Sequence, residues 1–190
     1  MKRISSLVFI VCTLLLISCK ETSKNETTTK VQPTQVNGKG QSAVVDKDSA
    51  PNALQVAMSM DDFKTLVVAV KAAGVQDALV NAGPLTVFAP VNSAFDKLPE
   101  GTVATLLKPE NKSKLAYILK NHVAPANYKV KTLEKNVRKG RKLYMASGKY
   151  LEVTKNGNDL FVGGSKILKS VKVSNGWVHV IGDILVPSDK

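Results

Sequence analysis

Glycine turns partition this chain more sharply than any other feature. Ser147-Gly148, Asn156-Gly157, Gly163-Gly164 and Asn175-Gly176 all fall in its last third, and the apolar stretches between them are too short for stable helices. Leu143-Tyr-Met, Tyr150-Leu-Glu-Val and Leu160-Phe-Val read as short strands. Ile167 to Val173 and Trp177 to Val186 flank Asn175-Gly176, which predicts a hairpin closed by a type I′ turn. Alternation then places Trp177, His179 and Ile181 on one, inward face and Val178 and Val180 on the other.

Before Tyr128 the period is different. Phe63, Leu66, Val67 and Val70 recur at intervals of three and four behind a capping-box-like Ser59-x-x-Asp62, and Gly74 supplies a stop. Val75 to Val80 reads as a second short helical turn, closed by Asn81-Ala-Gly-Pro84. Leu85-Thr-Val-Phe-Ala-Pro90 is a compact apolar run that ends in proline, as a buried strand can. Asn92 or Ser93 can cap a short helix through Leu98, and Thr102 another through Lys108. Pro109 suits the first turn of a helix running to about Asn121, with Leu115, Ile118 and Leu119 on one face. Helices first and hairpins afterwards predict an α+β fold. Aromatic residues are 5% of the chain, so the core must be largely aliphatic.

The beginning of the chain reads as an address. Met-Lys-Arg precedes an apolar run of 14 residues from Ile4 to Ile17, too short for a membrane-spanning helix of roughly 20 and suited to a signal peptide over residues 1–18. Leu16-Ile17-Ser18-Cys19 resembles the lipobox of bacterial lipoproteins, in which the cysteine becomes the lipidated first residue of the mature chain. That resemblance implies that Cys19 acyl chains enter a lipid bilayer. Lys20, where an inner-membrane lipoprotein typically carries aspartate, implies the outer membrane, on its periplasmic or surface face. Cys12 lies in the discarded segment, so no disulfide can form within the mature chain. Residues 19–51 are rich in Thr, Ser, Lys, Asn and Gln and read as a flexible tether, with an end-to-end distance of about 30 Å.

Charge then concentrates in residues 52–190. Of the formal +12, the leader holds +2 and the tether +1, which leaves +9 on these 139 residues. The densest cluster runs from Lys129 to Lys142, where Lys129, Lys131, Lys135, Arg138, Lys139, Arg141 and Lys142 face one acid, Glu134. Two readings stay open for this segment: a solvated loop, or an anion-binding patch of Lys131, Lys135, Arg138, Lys139, Arg141 and Lys142 for anionic glycans or acidic matrix. Few aromatics accompany it (Tyr144, Tyr150), and with an extracytoplasmic address this excludes an intracellular nucleic-acid role.

Catalytic signatures are missing. No Gly-x-Ser-x-Gly elbow, His-Glu-x-x-His helix, phosphate-cradling lysine loop or dinucleotide glycine fingerprint is present. The two histidines, His122 and His179, stand without a cluster of acids or thiols at ligand spacing. They read as core residues that each satisfy a backbone hydrogen bond, so no catalytic residue, metal or cofactor is expected.

Three blocks together resemble the fasciclin domain family. They are Gly83-Pro-Leu-Thr-Val-Phe-Ala-Pro-Val-Asn-Ser-Ala-Phe95, Leu119-Lys-Asn-His122-Val, and Asn175-Gly-Trp-Val-His-Val-Ile181 ending in Leu185-Val-Pro187. The resemblance spans 52–190 and implies a fasciclin-like fold, with N-terminal helices packed against a β-sandwich-like set of hairpins. It also implies a monomeric, non-enzymatic adhesion or interaction domain. In animal members a Tyr-His pair near the second block is implicated in receptor-dependent adhesion, which points to Asn121 and His122 as an interaction motif. Asn121 replaces that tyrosine here, and Gly182 stands where an aspartate often follows the third block. The alternative function is a periplasmic ligand-binding or envelope-maintenance lipoprotein.

Overall fold

The computed structural model describes residues 50–80 and 83–187. The signal peptide, Cys19 and nearly all of the expected tether lie outside the described residues.

The helical half opens with α1 (Ala53–Met58), an element the hydrophobic period does not announce. Its start is chemical. The Asn52 side chain accepts the Gln55 N–H at 2.9 Å, and the Gln55 side chain accepts the Asn52 N–H at 2.8 Å, a reciprocal capping box. Ser59, expected to begin a helix, instead ends this one, and its hydroxyl donates to the Val56 carbonyl. A 3₁₀ turn over Asp61–Phe63 then leads into α2 (Lys64–Ala73), which Gly74 ends in the left-handed region at φ 69°. Next come α3 (Gln76–Val80), β1 (Leu85–Pro90), α4 (Asn92–Asp96), α5 (Thr102–Leu106) and α6 (Lys112–Lys120).

Neither Asn92 nor Thr102 caps its own helix. Asn92 reaches across the fold instead. Its side-chain oxygen accepts the Thr65 N–H at the start of α2, and its amide donates to the Asp61 carbonyl. An orphan donor of one helix is thereby satisfied from the strand exit of another segment.

The second half contains β2 (Val123–Ala124), α7 (Val130–Arg138), β3 (Leu143–Tyr144), β4 (Tyr150–Leu151), β5 (Val153–Asn156), β6 (Asp159–Val162), β7 (Ser165–Val173) and β8 (Gly176–Ile181). Six strands form one sheet in the order β2-β1-β8-β7-β6-β5, and β3 and β4 form a separate ribbon. The expected hairpins are present as antiparallel neighbours, and β1 joins β8 in parallel at the centre. This is the α+β arrangement of helices packed with hairpins. The basic segment is a helix and not a loop, because Leu133 and Val137, four residues apart, anchor it to the core while its charges stay in water.

Two clusters fill the two faces of the central strands. Val87, Val178 and Val180 pack with Phe63, Leu66, Val70 and Leu115. Phe88 and Ile181 pack with Leu133, Leu143, Met145 and Val162. Burial on both faces explains why β1 reads as a continuous apolar run, all six of its residues being buried.

The β7–β8 turn differs from its sequence signal. Val173 pairs with Gly176, so Ser174 and Asn175 form the connection and Gly176 belongs to the ladder. Gly176 has φ 146°, and a Cβ there would lie 1.7 Å from the Leu85 carbonyl oxygen. It is glycine because β1 passes too close for any side chain. Asn175 accepts the Ala53 N–H and donates to the Leu79 carbonyl, which ties α1 and α3 to the sheet.

Candidate functional site

Asn121 and His122 leave the end of α6 and enter β2, and both are buried. Together they hold one residue of the C-terminal segment. The Leu185 N–H donates to His122 Nε2 at 2.9 Å, and the Asn121 amide donates to the Leu185 carbonyl at 2.9 Å. The Ser147 hydroxyl donates to the Asn121 side-chain oxygen Oδ1 at 2.7 Å. Because Nε2 accepts, the imidazole proton sits on Nδ1 and donates to the Ile118 carbonyl at 2.9 Å. This neutral form is the stable one, since burial lowers the His122 pKa from 6.5 to about 4, against the smaller raising effect of the Ile118 carbonyl. Neither side chain is displayed to solvent. What they do in the fold is hold the segment around Leu185 in place.

His179 is built on the same logic. Its Nε2 lies 2.7 Å from the Tyr128 carbonyl, which can only accept, so Nε2 carries the proton and Nδ1 accepts the Ser170 hydroxyl at 2.7 Å. Phe88 stacks beside it at 5.4 Å between ring centroids. Burial lowers its pKa, and the Tyr128 carbonyl partly offsets this. Both rings therefore have both nitrogens committed to structural partners. Among the described residues, no group of three or more His, Cys, Asp or Glu could hold a metal.

The basic cluster occupies the opposite regime. Lys131, Lys135 and Arg138 follow the helical repeat along the exposed stripe of α7, and Lys139, Arg141 and Lys142 continue it into β3. Arg138 and Lys139 also suit the negative end of the helix. Lys142 pairs with Glu152 at 2.9 Å and thereby lowers the pKa of that carboxyl, while Glu134 is taken by Lys155 at 3.1 Å. Among the described residues, no acid pairs with Lys131, Lys135, Arg138, Lys139 or Arg141. Tyr144 and Tyr150 stand beside this stretch as an exposed cross-strand pair, with ring centroids 5.3 Å apart.

The sequence assembled neither the Leu185 clamp nor its Ser147 support. Leu185 contributes only backbone groups, which leave no side-chain signal. Ser147 reads as turn punctuation because its neighbour is Gly148. A contiguous charge run, by contrast, remained a contiguous face once folded.

The sequence model of the family described as Fasciclin domain matches residues 61–187. The protein designated sll1483 of Synechocystis sp. is 42% identical over 149 residues, covering 77% of this chain and 81% of its own length. The transforming growth factor-beta-induced protein ig-h3 of Sus scrofa is 34% identical over 139 residues, which are 72% of this chain and 19% of that longer protein. The solved domain pair from the insect cell adhesion molecule fasciclin I superposes with a TM-score of 0.65 at 19% identity, covering 72% of this chain and 51% of that one.

Proposed function

The chain belongs to the fasciclin domain family, and on that premise we propose that it is a lipid-anchored interaction module of a bacterial cell envelope. Cys19 carries the acyl chains, residues 19–51 hold the domain away from the bilayer, and the domain performs no chemistry of its own. Its contact surface is the basic stripe of α7, and its partners are anionic glycans or acidic matrix proteins. Fasciclin I is an insect cell adhesion molecule, and adhesion is the role proposed here. The carrying observation is the row Lys131, Lys135, Arg138, Lys139 and Arg141, exposed and without acid partners among the described residues. Many copies on one surface would convert weak single contacts into firm attachment.

Two measurements test this. Cells grown with a clickable palmitate should label the protein, and Cys19→Ser should abolish the label and release the protein from the membrane. Persistent membrane association of the unlabelled variant would overturn the anchor. Protease added to intact cells should remove the domain, whereas full protection would place it out of reach of an adhesion partner.

A further inference from the structure

A cavity of about 220 Å³ lies between α4, α5, α6 and the C-terminal segment that the His122 clamp holds in place. Its walls are almost wholly apolar, and include Phe95, Val103, Leu106, Leu107, Ile118 and Ile184. An apolar cavity of about 150 Å³ is already enough to bind benzene in a protein interior, so this one has room for a larger guest. Val186, 59% exposed, also lines it, so the cavity meets solvent at that edge. The lining contains one formal charge, Lys114, which is exposed and has no acid partner among the described residues.

An apolar space with a single unpaired cation among its lining residues is complementary to one kind of molecule. We infer that this cavity binds a small amphiphile with an apolar body and an anionic head, such as a medium-chain fatty acid. The tail replaces water against Val103, Leu106 and Ile118, and the carboxylate faces the Lys114 ammonium. His122 sets the floor without binding the head, since its Nδ1 and Nε2 are held by Ile118 and Leu185. Instead it positions Ile184 and Val186, through Leu185, as one wall. The site is separate in its residues from the basic stripe of α7.

Calorimetric titration of the purified protein with monomeric decanoate tests this, with acetate and decanol as the head-only and tail-only probes. Decanoate should bind saturably at one site, decanol more weakly, and acetate not at all. Lys114→Gln should weaken decanoate about two- to fivefold, as expected of a solvent-exposed charge pair, and leave decanol unchanged. Val103→Phe and Leu107→Trp are two independent ways to fill the space, and whichever variant melts like the parent should lose both ligands. The inference is overturned if decanoate shows no saturable binding, if a folded filling variant binds it undiminished, or if neutralising Lys139 and Arg141 removes binding while the filling variants do not.

Discussion

The clamp around Leu185 and the basic stripe of α7 are built from opposite physical choices. In the clamp every polar group is buried and partnered: Asn121 by Leu185 and Ser147, His122 by Ile118 and Leu185. On the stripe the charges are exposed, and most lack an acid partner among the described residues. A buried, satisfied polar network fixes geometry at high cost to any change, whereas an exposed charge row contributes little to stability and is available to a partner. The residues that look most like a motif therefore carry architecture. The segment that looks least like one presents the surface.

This contrast can be broken at several points. The largest effect should come from Gly176→Ala at the β1–β8 crossing, where the added carbon meets the Leu85 carbonyl. Loss of about 4 kcal/mol or failure to fold is expected in denaturant titration. A stability near that of the parent would mean that β1 does not run where it is placed. His122→Phe comes next. It keeps the ring volume but leaves the buried Leu185 N–H without a partner and takes one of two donors from the Ile118 carbonyl, which keeps the Asn121 N–H, a loss of about 1–3 kcal/mol.

Acidification should reach the same clamp. The unfolded chain binds a proton at His122 near the ordinary pKa of 6.5, and the folded chain only near 4, so the unfolded state is favoured as pH falls between these values. Stability should be level above about pH 7 and drop by at most about 3 kcal/mol on reaching pH 4. His179, whose pKa is also lowered by burial, acts in the same direction. Melting followed across pH in the parent and in His122→Phe should show a shallower slope in the variant, and identical slopes would remove His122 as the titrating group. Smallest of all should be the effect on the stripe. Lys139→Gln, Arg141→Gln and Lys142→Gln together remove one exposed pair with Glu152, and should leave the denaturation midpoint close to that of the parent.

The sequence disclosed elements whose signal is carried by side chains in one stretch. The β1 run, the stop at Gly74 and the hairpin strands all follow from local apolar pattern or turn chemistry. Cross-chain roles were hidden. Asn92 looks like a local cap but serves α2, and Gly176 looks like a turn residue but makes room for Leu85. Helix α7 was obscured because only Leu133 and Val137 mark its inner face amid seven cations between Lys129 and Lys142. Of the candidate site, the stripe was legible because it is contiguous. The clamp was not, since its third member offers backbone alone.

In the proposed function, recognition rides on the exposed stripe and not on the buried clamp. Salt elution from immobilised heparin, with Lys131, Lys135, Arg138, Lys139, Arg141 and Lys142 all changed to Gln, tests it most directly. The variant should elute at clearly lower salt while melting as the parent does, and unchanged elution would refute recognition by the stripe.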